Sequence, residues 1–354
     1  MGYGRGGRMA IESDTAEVTA GVRNGVTLGS PISMWIPNAD FENWRDAMGV
    51  WDADQDEMKK RRVKAPRPGH VDLAGGIKYD RADLRDVLER ASARETAARV
   101  AAGAMAKELI AQFGIEIRSG VIAIGSAGDG THTPSWNDLD GISADSLFRA
   151  APSTLEPAMR EAIDSAREAG ETLGGAIVTI ARGVPIGLGS YAHWDEKLDG
   201  QIAQAIMSVH AIKAVAIGDG IDAARRPGTE VHDPIEMGGE GYRRSSNRAG
   251  GLEGGVTNGE ELVVRAFMKP ISTTRRGLPS VDIETGEVHR SQWERSDVSA
   301  VPACSVICEA MLALVLADAM REKFGGDSLG EMKRNFDGYV AQVKGWGRGP
   351  QPKE

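Results

Sequence analysis

The 354-residue sequence predicts a mixed α and β protein with a large buried core, on three observations. Hydrophobic residues make up 41% of the chain with no long low-complexity stretch, enough for one large domain or two ordinary ones. Segments of two-residue apolar alternation are interleaved with segments of helical period. Two helical segments stand out, an alanine-rich one before Gly114, whose small side chains allow another backbone to approach closely, and an apolar one around Cys304. The interleaving taken alone suggests a doubly wound parallel sheet, although periodicity by itself is ambiguous.

The elements follow in order. Met9–Glu12 and Ala16–Thr19 flank Ser13-Asp14 as a hairpin, and Ile32 to Ile36 alternates as a further strand. Ser92-Ala93-Arg94-Glu95 has the spacing of a capping box. Behind it Val100, Met105, Leu109, Ile110 and Phe113 recur at helical spacing until Gly114. Strands are expected over 115–124, 176–181 and 262–267 and near Val215, and helices over 154–170 and 198–212. From 218 to 255 glycine, arginine and acidic residues show little periodicity, a long excursion of the kind that is usually functional. A last strong helix covers 305–323 before Gly325-Gly326. One domain is expected over 1–330, then a C-terminal helix and tail over 331–354 whose end has a disordered composition.

The net charge of −9 argues against a general nucleic-acid binder. Lys59-Lys60-Arg61-Arg62 is the exception, and the acidic residues just before it favour a solvated loop, with a substrate-facing role left open by its nearness to His70. Two cysteines, Cys304 and Cys308, share a helix face and read as core thiols. The six histidines form no close-spaced ligand pair, so no metal is expected. The apolar run Ala310–Ala317 is too short to span a bilayer and the first residues do not resemble a secretory leader, so a cytoplasmic protein that meets no membrane is expected.

Five segments combine glycines or turn residues with isolated charges or hydroxyls. Arg67-Pro68-Gly69-His70-Val71-Asp72 presents a histidine from a turn, although a lone histidine is more often structural. Arg90 to Thr96 places two arginines at a helix start, an anion site or a salt-bridged surface. Asn247 to Gly255 is too rich in glycine for regular structure, and Lys269 to Thr274 is a hydroxyl-rich turn. Arg295-Ser296-Asp297 leads into the Cys304 helix. Gly2 to Gly7 satisfies G-x-G-x-x-G, but a dinucleotide site needs a strand before it, which leaves a nicotinamide-dependent dehydrogenase a distant reading.

Together, and in this order along the chain, these segments resemble chorismate synthase; Gly2 to Gly6, Gly218-Asp219-Gly220 and Ala300-Val301-Pro302 add to the likeness. The resemblance implies an α+β layered sandwich, with antiparallel sheets flanking central helices, assembled as a homotetramer. It implies a lyase that eliminates phosphate and a ring proton from 5-enolpyruvylshikimate 3-phosphate to give chorismate. Reduced FMN is required, with NADPH as the flavin reductant in some members. Concentrated Arg and Lys inside an acidic chain suits such anionic ligands. By the same resemblance Arg90, Ala91, Ser92, His210, Ala211, Gly254, Lys269, Pro270, Ile271, Ser272, Thr273 and Arg295 contact flavin. Arg94, Asn247 and Arg5 face substrate, or for Arg5 the phosphate of NADPH. Asp297 assists transfer of the ring proton to the flavin, and His70 supports charge on it. His210 stands where the family commonly carries an amide, so its backbone is the expected contact.

The family begins with a Gly-Glu-Ser-His-Gly segment and an arginine-rich helix ahead of the Gly-Tyr-Gly-Arg stretch. Here Met1 stands next to that stretch, so the sequence reads as a synthase without its first few dozen residues. The alternative is a homologue that binds FMN or substrate without catalysing the elimination.

Overall fold

The computed structural model describes residues 2–6, 14–238, 241–291 and 297–346. Four short strands come first, β1 (Glu17–Ala20), β2 (Val22–Arg23), β3 (Val26–Thr27) and β4 (Ser33–Trp35), then a 3-10 turn at Phe41–Trp44. Three short helices, α1 (Gln55–Arg61), α2 (Asp72–Tyr79) and α3 (Leu84–Arg90), lead to the long α4 (Thr96–Ala111). The middle runs through β5 (Glu116–Ile124), β6 (Ala127–Gly128), α5 (Trp136–Asp140), α6 (Glu156–Ala169) and β7 (Gly175–Arg182). It continues with α7 (Leu198–Met207), β8 (Ile212–Ile217) and the single turn α8 (Gly228–Val231). Two hairpins follow, β9 (Ile235–Gly238) with β10 (Gly241–Arg244) and β11 (Leu252–Glu253) with β12 (Val256–Thr257). The chain closes with β13 (Leu262–Met268), the hairpin β14 (Pro279–Val281) and β15 (Val288–Arg290), α9 (Val301–Phe324) and α10 (Leu329–Gly345).

Five strands form the main sheet in the order β6-β5-β7-β13-β8, and each ladder between them is antiparallel. This is an α+β fold, and the doubly wound alternative fails on strand direction. Neighbouring residues of β7 are both buried, Ile177 and Val178 alike, because the sheet is covered on two faces. Ile117, Val121, Ile177 and Val264 pack with Cys304, Leu312 and Leu316 of α9. Ile122, Val178, Ile180 and Val263 pack with Leu139 and Ala151. That double cover explains strands that read as near-continuous apolar runs.

α9 is the central helix. By length and composition it could cross a membrane, contrary to the reading from its longest uncharged run, yet 56% of its apolar window is buried in the protein. α4 crosses it closely because Gly103 has no side chain: a Cβ there would lie 2.4 Å from Cβ of Ala310. Cys304 and Cys308 are buried in the same core with their sulfurs 4.0 Å apart.

Several boundaries differ from the sequence reading. The helix expected over 198–212 stops at Met207, because Ala211 adopts a left-handed φ of 64° and the chain turns directly into β8. Ser92 caps a 3-10 turn by accepting from the Arg94 amide at 3.3 Å, but no capping box forms. The Ser92 amide donates to the Glu89 carbonyl and the Glu95 carboxylate turns to Arg99 instead. The stretch 218–255 contains the β9–β10 hairpin and the first strand of the β11–β12 hairpin rather than a plain excursion. Strand 16–19 exists as β1, but its partner is β4, with Glu17 opposite Trp35; residues 9–12 lie outside the described set.

Candidate active site

A cavity of about 900 Å³ opens between the 3-10 turn at 41–44, the α3–α4 junction, the α7–β8 turn and the segment following β13. Its floor is built by one turn of the chain. Pro68 fixes φ for the second position, Gly69 supplies φ +80° at the third, and the His70 amide closes the turn onto the Arg67 carbonyl at 3.1 Å. The Gly69 carbonyl accepts from Lys269 Nζ, which ties this turn to the segment after β13.

Asp72 begins α2, where the helix dipole favours a carboxylate. It is fully buried, accepts from His70 Nδ1 at 2.6 Å, and takes Arg67 Nε at 2.8 Å and the Arg67 amide at 3.0 Å. Burial pushes its carboxyl up, but the bonds from His70 and Arg67 outweigh that and hold it well below the ordinary range. A carboxylate this close requires a proton on Nδ1. The Arg67 guanidinium lies against both ring nitrogens, 3.1 Å from Nδ1 and 3.3 Å from Nε2. Gly75 and Gly76 of α2 let α3 approach: a Cβ at either would lie 2.5 Å from Val87 or Leu84. Close packing of α2 on α3 brings Ala91 and Ser92 to the same cavity.

Asp297 is placed from the other side. Val298 donates to the Gly4 carbonyl at 2.7 Å, and Leu173 donates to the Val298 carbonyl at 2.8 Å, which pins this segment between the first residues and the strap before β7. Its carboxylate accepts from the Gly6 amide and pairs with Arg5 Nε at 3.0 Å. Lys269 to Thr273 form the adjoining wall, held by Lys269 N on the Ala211 carbonyl at 2.9 Å and Thr172 Oγ1 on the Ile271 carbonyl at 2.7 Å. His210 reaches the cavity from the α7–β8 turn, with Nδ1 3.4 Å from Glu95. Burial pushes its imidazole pKa down, and Arg99, His70 and Arg90 add to that against the pull of Glu95.

The cavity thus gathers Arg5, His70, Ala91, Ser92, His210, Ala211, Lys269, Pro270, Ile271, Ser272, Thr273 and Asp297 of the residues expected from the sequence. Arg90 stands exposed at the end of α3, outside the lining but close enough to act on His210. Arg94 does not line it and binds Asp14 at 2.8 Å and the Pro37 carbonyl at 2.7 Å. Asn247 and Gly254 lie elsewhere: Asn247 clamps its own loop through the Glu261 carbonyl and the Gly251 amide, and Gly254 sits in the β11–β12 turn. Arg295 is outside the described residues. The sequence reading missed Asp40, Asn43, Trp44, Arg61 and Lys213, which also line the cavity. Only Arg61 carried a signal, as part of the basic run near His70.

Arginines, lysines and two histidines surround a concave site whose walls include Leu88, Ile212, Met268 and Ile271. That lining fits a ligand with a flat apolar body and anionic groups. Among the described residues no three His, Cys, Asp or Glu side chains converge as metal ligands. The fold and site define an α+β protein with a cationic pocket for anionic small molecules.

The family model for chorismate synthase matches residues 1–321, and the chain belongs to that family. It is 51% identical over 351 residues to the chorismate synthase of Geobacter sulfurreducens, covering 97% of this chain and 89% of that one. It is likewise 51% identical over 354 residues to the chorismate synthase of Aquifex aeolicus, covering 97% of this chain and 88% of the relative. A crystal structure of chorismate synthase superposes with a TM-score of 0.74 at 43% identity, over 94% of this chain and 86% of that one.

Proposed function

We propose that this chain is a lyase that forms chorismate from 5-enolpyruvylshikimate 3-phosphate, with loss of phosphate, in the cavity bounded by His70 and Asp297. The observation that carries the reading is the meeting of the Asp72-held His70 and the Arg5-paired Asp297 in one cationic pocket, in a chain of this family. Nothing in the lining favours a homologue that only binds.

Reduced FMN is the proposed cofactor. When bound, it supplies an electron-rich ring that assists departure of the phosphate. Ala91, Ser92, Ala211 and the turn 269–273 would hold it, through backbone N–H groups, the Ser and Thr hydroxyls and Lys269. Asp297, which pairs with Arg5, would assist removal of the ring proton. His70, oriented by Asp72, would stabilise negative charge by donating from Nε2–H as the imidazolium, whose charge the Asp72 carboxylate balances. Arg5 is the proposed contact for NADPH phosphate if the enzyme reduces its own flavin.

A homotetramer is proposed as the working assembly. Large apolar side chains at the surface support it, Tyr191 being 84% and Trp194 85% exposed. A cytoplasmic location and a single domain over 1–330 complete the reading.

Anaerobic mixing with chemically reduced FMN and 5-enolpyruvylshikimate 3-phosphate tests it. Inorganic phosphate and chorismate are expected in equal amounts, with no net oxidation of the flavin. Tight binding of both ligands without either product would instead identify the non-catalytic homologue.

A further inference from the structure

One guanidinium of the cavity has no part in that chemistry. Arg61, the last residue of α1, lines the cavity beside Trp44. Two other arginines of the lining are held by carboxylates, Arg5 by Asp297 at 3.0 Å and Arg67 by Asp72 at 2.8 Å. Among the described residues the carboxylate nearest Arg61 is Glu57, at 3.8 Å and beyond hydrogen-bonding distance, and Glu57 gives its other oxygen to Lys60 at 2.7 Å. The Arg61 guanidinium lies instead over the indole of Trp44, 4.4 Å from the ring centre. Stacking occupies the face of a guanidinium and leaves its N–H edge, the fork that matches a carboxylate or phosphate.

The stack is itself supported. Trp44 Nε1 donates to Asp40 at 3.2 Å, which fixes the indole. Arg85, only 12% exposed, lies over the same ring at 5.1 Å and donates from Nε to the Arg61 carbonyl at 2.9 Å. One partly buried side chain therefore sets both the backbone of Arg61 and the aromatic surface on which its guanidinium rests. An arginine needed only for solubility would gain nothing from being fixed in this way.

We infer that Arg61 is an anion-binding residue of the cavity, receiving a phosphate or carboxylate of the bound ligand, and that Trp44 and Arg85 position it. The inference rests on the elimination reading for the ligand's identity, since both the substrate and FMN carry such groups. Binding constants for 5-enolpyruvylshikimate 3-phosphate, FMN and riboflavin separate the sources. R61A should weaken either the substrate or FMN by about 10- to 100-fold, the loss expected for a charge-assisted bond. A loss with FMN but not with riboflavin assigns the flavin phosphate, and a loss with the substrate alone assigns the substrate. R61K should recover only part of the loss, and W44A should reproduce part of it while W44F reproduces less. In turnover the defect should fall on KM rather than kcat, which a general loss of structure would not give. Unchanged constants for all three ligands in R61A overturn the inference.

A probe independent of turnover is the emission of Trp44, obtained as wild type minus W44F during titration with inorganic phosphate. A saturable change that disappears in R61A supports the inference even if the protein forms no chorismate, an outcome that would contradict the elimination reading alone. No phosphate-dependent change, together with unchanged binding of 5-enolpyruvylshikimate 3-phosphate in R61A, overturns it.

Discussion

His70 Nδ1 stands 2.6 Å from an oxygen of Asp72, and that oxygen's carboxylate is fully buried at the first position of a helix. The pair fixes the tautomer and orientation of the imidazole, and Arg67 neutralises the carboxylate. Replacing Asp72 by Asn keeps the shape and removes the charge. D72N should lower kcat/KM by about 10²-fold or more, as expected when an acid-base group is mis-set. It should also destabilise the fold by about 3 kcal/mol, because Arg67 is left with no buried counter-charge. Urea denaturation alongside turnover measures both effects.

The same carboxylate gives a pH dependence of known sign. Its pKa is lowered from 3.8, so the native state binds fewer protons than the unfolded chain as the solution is acidified. Its stabilisation is present in full above pH 3.8 and is lost as the pH falls below that value. D72N should flatten this part of the acid-denaturation curve.

His210 acts in a different window. Its pKa is lowered from 6.5 by burial, so the unfolded chain takes up a proton first and stability falls as the pH drops below 6.5. H210Q replaces the ring by the amide common in the family and should reduce the slope of stability against pH there, leaving neutral-pH stability nearly unchanged. An unaltered slope would show that the ring does not titrate in this way.

Gly103 and Gly338 make a paired test of packing. A Cβ at Gly103 would meet the Ala310 Cα at 2.6 Å, whereas one at Gly338 of α10 meets nothing within 4 Å. G103A should cost about 1–3 kcal/mol through overpacking. G338A should add about 0.5–1 kcal/mol, because alanine loses less backbone freedom in a helix. Thermal or urea unfolding of the two variants checks the contrast.

Glu309 of α9 joins Lys107 of α4, accepts from Ser119 of β5 at 2.8 Å, and lies 3.7 Å from Arg149. Burial pushes the Arg149 pKa down while Glu309 pulls it up. E309A should therefore destabilise by about 3 kcal/mol, chiefly by taking the carboxylate from the largely buried Arg149, since Lys107 is about a third exposed. A loss near zero would mean that water replaces the carboxylate there.

The long elements were legible in the sequence because their periods are long. β5, β7, β13, α6 and α9 appear where apolar pattern placed them, and the α+β class followed from ordered motifs, not from alternation. α1, α2 and α3 were not legible, being seven or eight residues each with too little apolar period to register. They are the helices that set Arg61, Asp72 and Arg90. The end of α7 was misread because a left-handed Ala211 carries no sequence signal, unlike a glycine. Of the site, Gly69 with His70 and the turn 269–273 were visible as turn chemistry, while Trp44 and Lys213 reach the cavity only through tertiary packing.

The central claim is that His70 and Asp297 serve the elimination from one cavity, and anaerobic turnover by the protein as the cell produces it, beside H70A and D297N, tests this most directly. Chorismate from the wild type, with each variant slower by about 10²- to 10⁴-fold but still binding FMN, is the predicted result. Wild-type rates in both variants, or no chorismate from a wild type that binds substrate and reduced FMN, would contradict it.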